Sequence, residues 1–449
     1  MTLPASAGRT VPRRLTAPFG AAVGAAAAQG RLVVQPRMGI GYVPEMLGGL
    51  KAVRSANATA VGTITLDSYT RVGDHDSARK ALREGSDLNG FPIVAHGADT
   101  TRAMLADLVA PEPFSDTFAI QVRHGSPLPV GIVQALLDAG LDATEGGPVS
   151  YCLPYSRTPL REAVDAWARS CELLAERVEG AHLESFGGCM LGQLCPPSLL
   201  VAISLLEGIF FKQHGLTSIS LSYAQQTSFT QDVHAIAALR HLAGQYLGGT
   251  DWHVVLYSYM GVFPRTEEGA LGLLRESAVL AATTGTERMI VKTPAEAHRI
   301  PTVADNVLAL EEASLAATGV TRQTPPPLSD NPVYAEARAL VEAVLELDDD
   351  LGAAFLKAFA RGYLDVPFCL HADNAQRTRS YIDGQGELKW LNPGSLPIPA
   401  PEKTGSSRLG ADDFLGMLSH VQQTFDTAAL EGSHRPTAHA LPTYKKDLP

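Results

Sequence analysis

Short apolar, β-branched runs alternate with longer segments of helical period along most of this chain, and no other feature restricts its fold as much. Extended runs are predicted at 32–36, 60–67, 92–96, 118–123, 182–186, 218–222, 253–257 and 289–292, with helical patterns such as 160–178 and 233–247 between them. Strand–helix alternation sustained over about 250 residues is the pattern of a barrel of eight parallel strands. A doubly wound sheet is the rival. Against it, Gly39-Ile40-Gly41 lacks the third glycine of a dinucleotide turn and runs into Val43-Pro44, and no Walker-type phosphate loop occurs. The expected fold class is α/β: a (β/α)8 TIM barrel over 31–330 with a C-terminal α+β extension over 331–425. A long helix is predicted over 334–361 and an amphipathic one over 412–425, in a region rich in proline, glycine and polar residues. Residues 1–30 read as a poorly ordered leader and 426–449 as a polar tail.

Composition narrows the partners. A net charge of −11 argues against nucleic acid or an anionic membrane surface. The longest apolar stretch, 199–211, is interrupted by Glu207 and too short to span a bilayer. Five cysteines form no CxxC pair and leave no complete disulfide set, which suits reduced thiols in a cytoplasmic enzyme. Arg13-Arg14 before an alanine-rich segment faintly resembles a twin-arginine signal, but that segment is diluted by glycine and lacks a clear cleavage site. No residue is assigned to a metal.

The charged residues at the strand ends carry the chemistry. Arg37 follows the run 32–34, Arg71 follows 61–66, Arg123 follows 118–122, and Glu145 opens Glu145-Gly146-Gly147-Pro148. A parallel barrel builds its site where its strands end. Three cations and one carboxylate on one rim complement a small zwitterion with two carboxylates and one ammonium, an acidic amino acid. Guanidinium groups suit the task because their planar forks bind carboxylates bidentately and stay charged. Taken singly, each arginine reads as a solvated surface residue, and Glu145 as a turn acid before a Gly-Gly bend. Thr293-Pro294-Ala295-Glu296 reads as a helix start, with Thr293 as N-cap and Glu296 closing a capping box.

The chain also carries, in order, Gln35-Pro36-Arg37, Tyr69-Thr70-Arg71, Leu88-Asn89-Gly90-Phe91-Pro92, Arg123-His124-Gly125, Glu145-Gly146-Gly147, Ser150-Tyr151, Pro154-Tyr155, Phe186-Gly187, Val291-Lys292-Thr293-Pro294 and Asp365-Val366-Pro367-Phe368. On these motifs it resembles the large (epsilon) subunit of adenosylcobalamin-dependent glutamate mutase, also called methylaspartate mutase. The resemblance implies a (β/α)8 barrel and a reversible radical rearrangement of L-glutamate to (2S,3S)-3-methylaspartate. In that family a separate small subunit carries the cobalamin through a DxHxxG motif whose histidine ligates cobalt. Here Asp232-Val233-His234-Ala235-Ile236-Ala237 misses the glycine and falls in a predicted helix. The cobalt ligand is therefore expected from a small cobalamin-binding partner subunit, in a heterotetramer of two large and two small chains. The chain alone is expected to be inactive.

The resemblance assigns roles by position. Arg37, Arg71 and Arg123 match an arginine claw on the substrate carboxylates, and Glu145 matches the acid that receives the ammonium. His124, Tyr151 and Tyr155 match further substrate contacts, and Phe186 an aromatic beside the site. Catalysis falls to Glu145, Arg71 and Arg123. Lys292 and Glu296 match the pair on the adenosyl ribose, and Gly39, Asn89, Pro154, Phe263 and Ile300 match other cofactor contacts. Phe263 and Ile300 alone would read as core packing. Gly39 has a reason of its own, since a residue without a side chain lets the corrin or adenosine approach the backbone. The loop 187–190 is one residue longer than the family pattern, and 222–226 replaces a glycine-rich segment. Two alternatives stand beside this reading: a mutase acting on another dicarboxylate such as 2-oxoglutarate, and a non-catalytic scaffold for a cobalamin carrier.

Overall fold

Strands as short and apolar as these are buried on both faces only inside a shell of helices. The computed structural model of the chain describes residues 14–109, 118–187, 194–399 and 409–432. Eight parallel strands run in sequence order around a barrel: β1 (Val33–Pro36), β2 (Gly62–Thr65), β3 (Ile120–Arg123), β4 (Ala143–Glu145), β5 (His182–Glu184), β6 (Ser218–Ala224), β7 (Asp251–Tyr257) and β8 (Arg288–Val291). β8 pairs with β1, and backbone bonds from Val34 to Thr59 and from Val61 to Val34 close the seam between β1 and β2. The fold is the (β/α)8 barrel that the alternation predicts.

Helix α1 (Phe19–Ala28) precedes the first strand. The β1–β2 connection is α2 (Val43–Ser55), and between β2 and β3 lie α3 (Ser68–Val72), α4 (His75–Glu84), α5 (Ile93–His96) and α6 (Ala98–Val109). The later crossovers are α7 (Val130–Asp138), α8 (Leu160–Arg177), α9 (Pro197–Gln213), α10 (Phe229–Tyr246) and α11 (Glu267–Thr284), followed by α12 (Val303–Ala317) after β8. The extension holds α13 (Pro332–Leu345), α14 (Leu351–Arg361), an antiparallel pair β9 (Arg379–Ile382) and β10 (Leu388–Asn392), and α15 (Ala411–Leu430). Among the described residues no helix is long and apolar enough to cross a membrane. Cys152, Cys171, Cys195 and Cys369 are buried and unpaired, while Cys189 and the lengthened loop beyond Gly187 lie outside the described residues.

Several expectations change. The run 92–96 is not a strand: only Phe91 bridges to Leu66, and Pro92 starts the single helical turn α5, which ends at Gly97. The missing strand is β4, three residues long and without a β-branched run, which places Glu145 at a strand end rather than in a turn. The helix predicted over 334–361 is two helices: α13 ends at Leu345, and Asp350 starts α14 by capping it through the Ala353 N–H. Finally, the described part of the expected leader is ordered: α1 buries Phe19, Val23 and Ala26 against the barrel. Its low-amphipathicity alanine run hides that role from sequence. Residues 1–13 and 433–449 lie outside the described residues, and α15 runs past the predicted tail boundary to Leu430.

Inward-facing side chains stack in layers, as the strand period of two requires. The lowest layer is apolar: Phe19 and Val23 of α1 meet Val33, Val61, Ala119 and Ala143. Above it lies a polar girdle. Gln35 Nε2 donates to Thr63 Oγ1 and to Gln121 Oε1, both at 2.9 Å, and Gln121 Nε2 donates to Glu184 Oε2 at 3.1 Å. Arg288, wholly buried, completes the ring by pairing with Glu184 and donating to Gln35. Burial alone would raise the Glu184 carboxyl, but Arg288 and a phenol from β7 outweigh it and hold the group ionised. The girdle is the floor of the site.

Candidate active site

The upper layer is built by residues at the C-terminal ends of β3, β4, β5 and β7. Arg123 closes β3 and Glu145 closes β4, and their side chains, 5 % and 2 % exposed, form an ion pair with Nε and Oε2 2.7 Å apart. Tyr257, the last residue of β7, donates to the same Oε2 from 2.7 Å and also contacts Glu184 in the girdle. Tyr151 donates to the other oxygen, Oε1. Burial opposes the charge on Arg123, but Glu145 and the two phenols outweigh it, so the guanidinium stays protonated. Burial, then Glu145, raises both phenols far above their ordinary value, so they are neutral donors. Glu145 thus accepts from a cation and two hydroxyls at once.

An aromatic wall surrounds this acid. Phe186 packs 4.8 Å from the Tyr151 ring and 5.2 Å from the Tyr257 ring, with the Arg123 guanidinium 5.8 Å over its face. His124 stacks on Trp167 at 5.7 Å and meets the edge of Tyr151 at 5.2 Å. Burial pushes the His124 imidazole down to about 3, so it is neutral. Its Nδ1 accepts from Ser126 N at 2.9 Å, which puts the proton on Nε2, and that buried atom has no hydrogen-bond partner.

The other predicted residues fall into two further groups. Arg71 lies in the last turn of α3, which Asp67 caps through the Tyr69 and Thr70 N–H groups. It is exposed, makes no ion pair among the described residues, and lines a cleft of about 440 Å³ with Tyr155, Arg157, Gly125 and Ser126. Across the rim, Glu296 lies 3.2 Å from Arg37 and 3.3 Å from Lys292, and the Lys292 ammonium sits 4.7 Å over the Phe263 ring. Burial lowers the Lys292 ammonium below its ordinary value, against the pull of Glu296. The three arginines therefore occupy three separate groups.

Several residue-level expectations are corrected. The capping box at Thr293–Glu296 does not form: Pro294–Ala297 is a single 3-10 turn, and Arg37 and Lys292 hold the carboxylate more strongly than one neutral N–H would. Ile300 is 75 % exposed, so it is not core, whereas Phe263 is buried. A Cβ on Gly39 would fall 2.9 Å from Thr65 O and 3.1 Å from Gly90 Cα, so close backbone packing by itself requires glycine there. Asn89 is exposed and accepts from Ser68 N at 3.0 Å. Pro154 borders a second cleft, of about 590 Å³, with Phe368 and His371. Asp232, buried in the first turn of α10, accepts from the Tyr223 hydroxyl and the Gln226 N–H that precede the helix.

Sequence reasoning missed Tyr257, Glu184 and Arg288. The signal was partly available: Glu184 and Tyr257 are polar residues inside the predicted runs 182–186 and 253–257, whereas Arg288 falls one residue before the predicted run 289–292.

Comparison with known proteins agrees with the resemblance. Residues 16–408 match the family described as Methylaspartate mutase E chain. The glutamate mutase epsilon subunit of Escherichia coli O157:H7 is 33% identical over 392 residues, covering 83% of this chain and 79% of that protein. The glutamate mutase epsilon subunit of Halobacterium salinarum is 32% identical over 388 residues, covering 82% and 78%. That of Desulfitobacterium hafniense is 31% identical over 391 residues, covering 83% and 79%. With a matching barrel and matches across nearly its whole described length, this chain belongs to the methylaspartate mutase E chain family.

Proposed function

We propose that the chain is the substrate-binding catalytic subunit of a coenzyme-B12-dependent glutamate mutase, interconverting L-glutamate and (2S,3S)-3-methylaspartate with a small cobalamin-binding subunit as partner. The observation that carries this reading is the buried Arg123–Glu145 pair inside its ring of phenols. A buried ion pair is balanced only while both charges have partners. An α-amino acid can enter such a pair without net change, its carboxylate going to Arg123 and its ammonium to Glu145. A dicarboxylate without the ammonium would satisfy Arg123 and strand Glu145. That asymmetry favours glutamate over 2-oxoglutarate.

Arg71, exposed and without an ion pair among the described residues, supplies charge for a substrate carboxylate at the mouth, beside Tyr155. The His124 Nε2–H, buried and unpartnered, is a donor in reserve for a substrate oxygen. Arg37 keeps Glu296 aligned while itself offering a second guanidinium edge. In this reading Glu145, Arg123 and Arg71 hold both ends of a molecule that breaks and rejoins, which keeps recombination intramolecular. Phe186, Tyr151 and Trp167 exclude water from that space.

The residues at the β8 end fit an adenosyl group. Lys292 is a donor and Glu296 an acceptor for vicinal hydroxyls, Phe263 offers an aromatic face, and the buried Thr293 Oγ1 beside them has no hydrogen-bond partner. When bound, adenosylcobalamin supplies the cobalt–carbon bond whose homolysis starts the radical chemistry. Gly39, Asn89, Pro154 and Ile300 lie on rim loops where a broad corrin face would rest, and a heterotetramer of two large and two small chains is the assembly the family suggests.

The test is electron paramagnetic resonance on the chain mixed with a cobalamin-carrying partner subunit, adenosylcobalamin and L-glutamate, with product followed by proton NMR. A coupled cobalt(II)–organic radical signal together with methylaspartate is expected. Signal with 2-oxoglutarate but not glutamate would move the substrate, and silence in an assembled complex would leave the scaffold role.

A further inference from the structure

Glu207 is the one ionisable residue on the buried run 197–211 of α9, and it is wholly inaccessible. It makes no ion pair among the described residues. Leaving a carboxylate in apolar surroundings costs several kcal/mol unless hydrogen bonds compensate, so its bonds matter. Two run from the segment that follows Glu145: Oε1 accepts from Val149 N at 3.0 Å and from Ser150 N at 2.9 Å. That segment is a helical turn, with Tyr151 N bonded to Gly147 O and Leu153 N to Val149 O, so the two amides are its leading donors. Gly147 has no side chain for the same reason: a Cβ there would fall 2.1 Å from Glu207 Oε1. A backbone bond to Phe186 ties the same carboxylate to the β5 end.

We propose that Glu207 is a positioning residue of the active site, capping the turn 147–151 from α9 so that the Tyr151 phenol reaches Glu145. Burial pushes the Glu207 carboxyl up to about 7. The two amide bonds survive protonation, because both end on Oε1 and leave Oε2 for the proton. The proposal rests on the reading of Tyr151 and Glu145 as parts of the working site.

The test compares Glu207→Gln, which keeps an acceptor at Oε1, with Glu207→Asp, which withdraws it by one methylene, and Glu207→Leu, which removes it. Hydrogen exchange on the full chain reports the turn directly. Protection of the Val149 and Ser150 amides should fall at least about tenfold in the Asp and Leu variants and persist in Gln. In the complex with partner subunit, adenosylcobalamin and L-glutamate, kcat/KM should fall about 10²-fold in whichever of Asp and Leu folds, and recover in Gln. Combining that variant with Tyr151→Phe should cost no more than Tyr151→Phe alone, since both act through one phenol. A purely structural role would lower melting temperature in every variant and multiply with Tyr151→Phe. Unchanged exchange, unchanged turnover or multiplying losses would each overturn the proposal. A wild-type complex inert on L-glutamate would overturn the functional reading and the proposal together, whereas a working wild type with a working Asp or Leu variant would overturn the proposal alone.

Discussion

The acceptor capacity of Glu145 sets the energetics of the site. Three donors converge on its two oxygens, and one of them is a buried cation. Glu145→Gln leaves Arg123 without a countercharge, and should destabilise the chain by about 3–5 kcal/mol in urea titration. Tyr257→Phe keeps the ion pair and removes one hydroxyl, so its cost should be about 1–3 kcal/mol. Equal losses in the two variants would mean that the phenol, not the ion pair, dominates. Arg71 gives the opposite profile, being exposed and without an ion pair among the described residues. Arg71→Lys should change stability by less than about 0.5 kcal/mol while lowering kcat/KM for glutamate at least about tenfold, because an ammonium loses the bidentate fork. Residue identities were legible in the sequence wherever a motif held them. Residue partners were not: nothing in Glu145-Gly146-Gly147 says that Tyr257, more than a hundred positions away, shares its oxygen.

At the scale of elements, the extension laces the rim loops of the barrel. Asp426 of α15 accepts from Arg265 N at 3.0 Å and Thr266 N at 2.8 Å, just where the loop carrying Phe263 enters α11. On the opposite side, Asp373 accepts from Leu160 N at 2.8 Å and His371 meets Thr158 O at 3.0 Å, which fixes the loop after Tyr155. Asp426→Ala should cost about 0.5–2 kcal/mol, as loss of a cap does, and should speed exchange of the Arg265 and Thr266 amides without touching those of the β4 turn. Seven of the eight strands were legible because apolar runs bounded by helical segments reveal themselves locally. β4 was not, since three residues carry too little periodicity. α5 was mistaken for a strand because a four-residue apolar run fits either state, and the proline that decided it acts through geometry rather than hydropathy.

For the whole molecule, pH sensitivity follows from acids buried away from the site. Burial pushes Asp232 up to about 8, despite its bonds from Tyr223 and Gln226. An unfolded chain releases that proton near 3.8, so the folded state binds more protons between the two values. Its contribution is complete below about pH 4 and is lost as pH rises towards 8. Asp232→Asn should therefore gain in melting temperature relative to wild type between pH 5 and pH 8; a constant difference across that range would refute the assignment. Phe19→Ala, in the helix beneath the barrel, should cost about 3–5 kcal/mol by calorimetry, as a buried aromatic does. That helix has a consequence beyond stability. Among the described residues, Phe19 and Val23 stopper the lower end of the barrel beneath the girdle, which leaves the upper rim as its mouth. Substrate, product and water must all pass the same rim, so a single covering body governs all three at once.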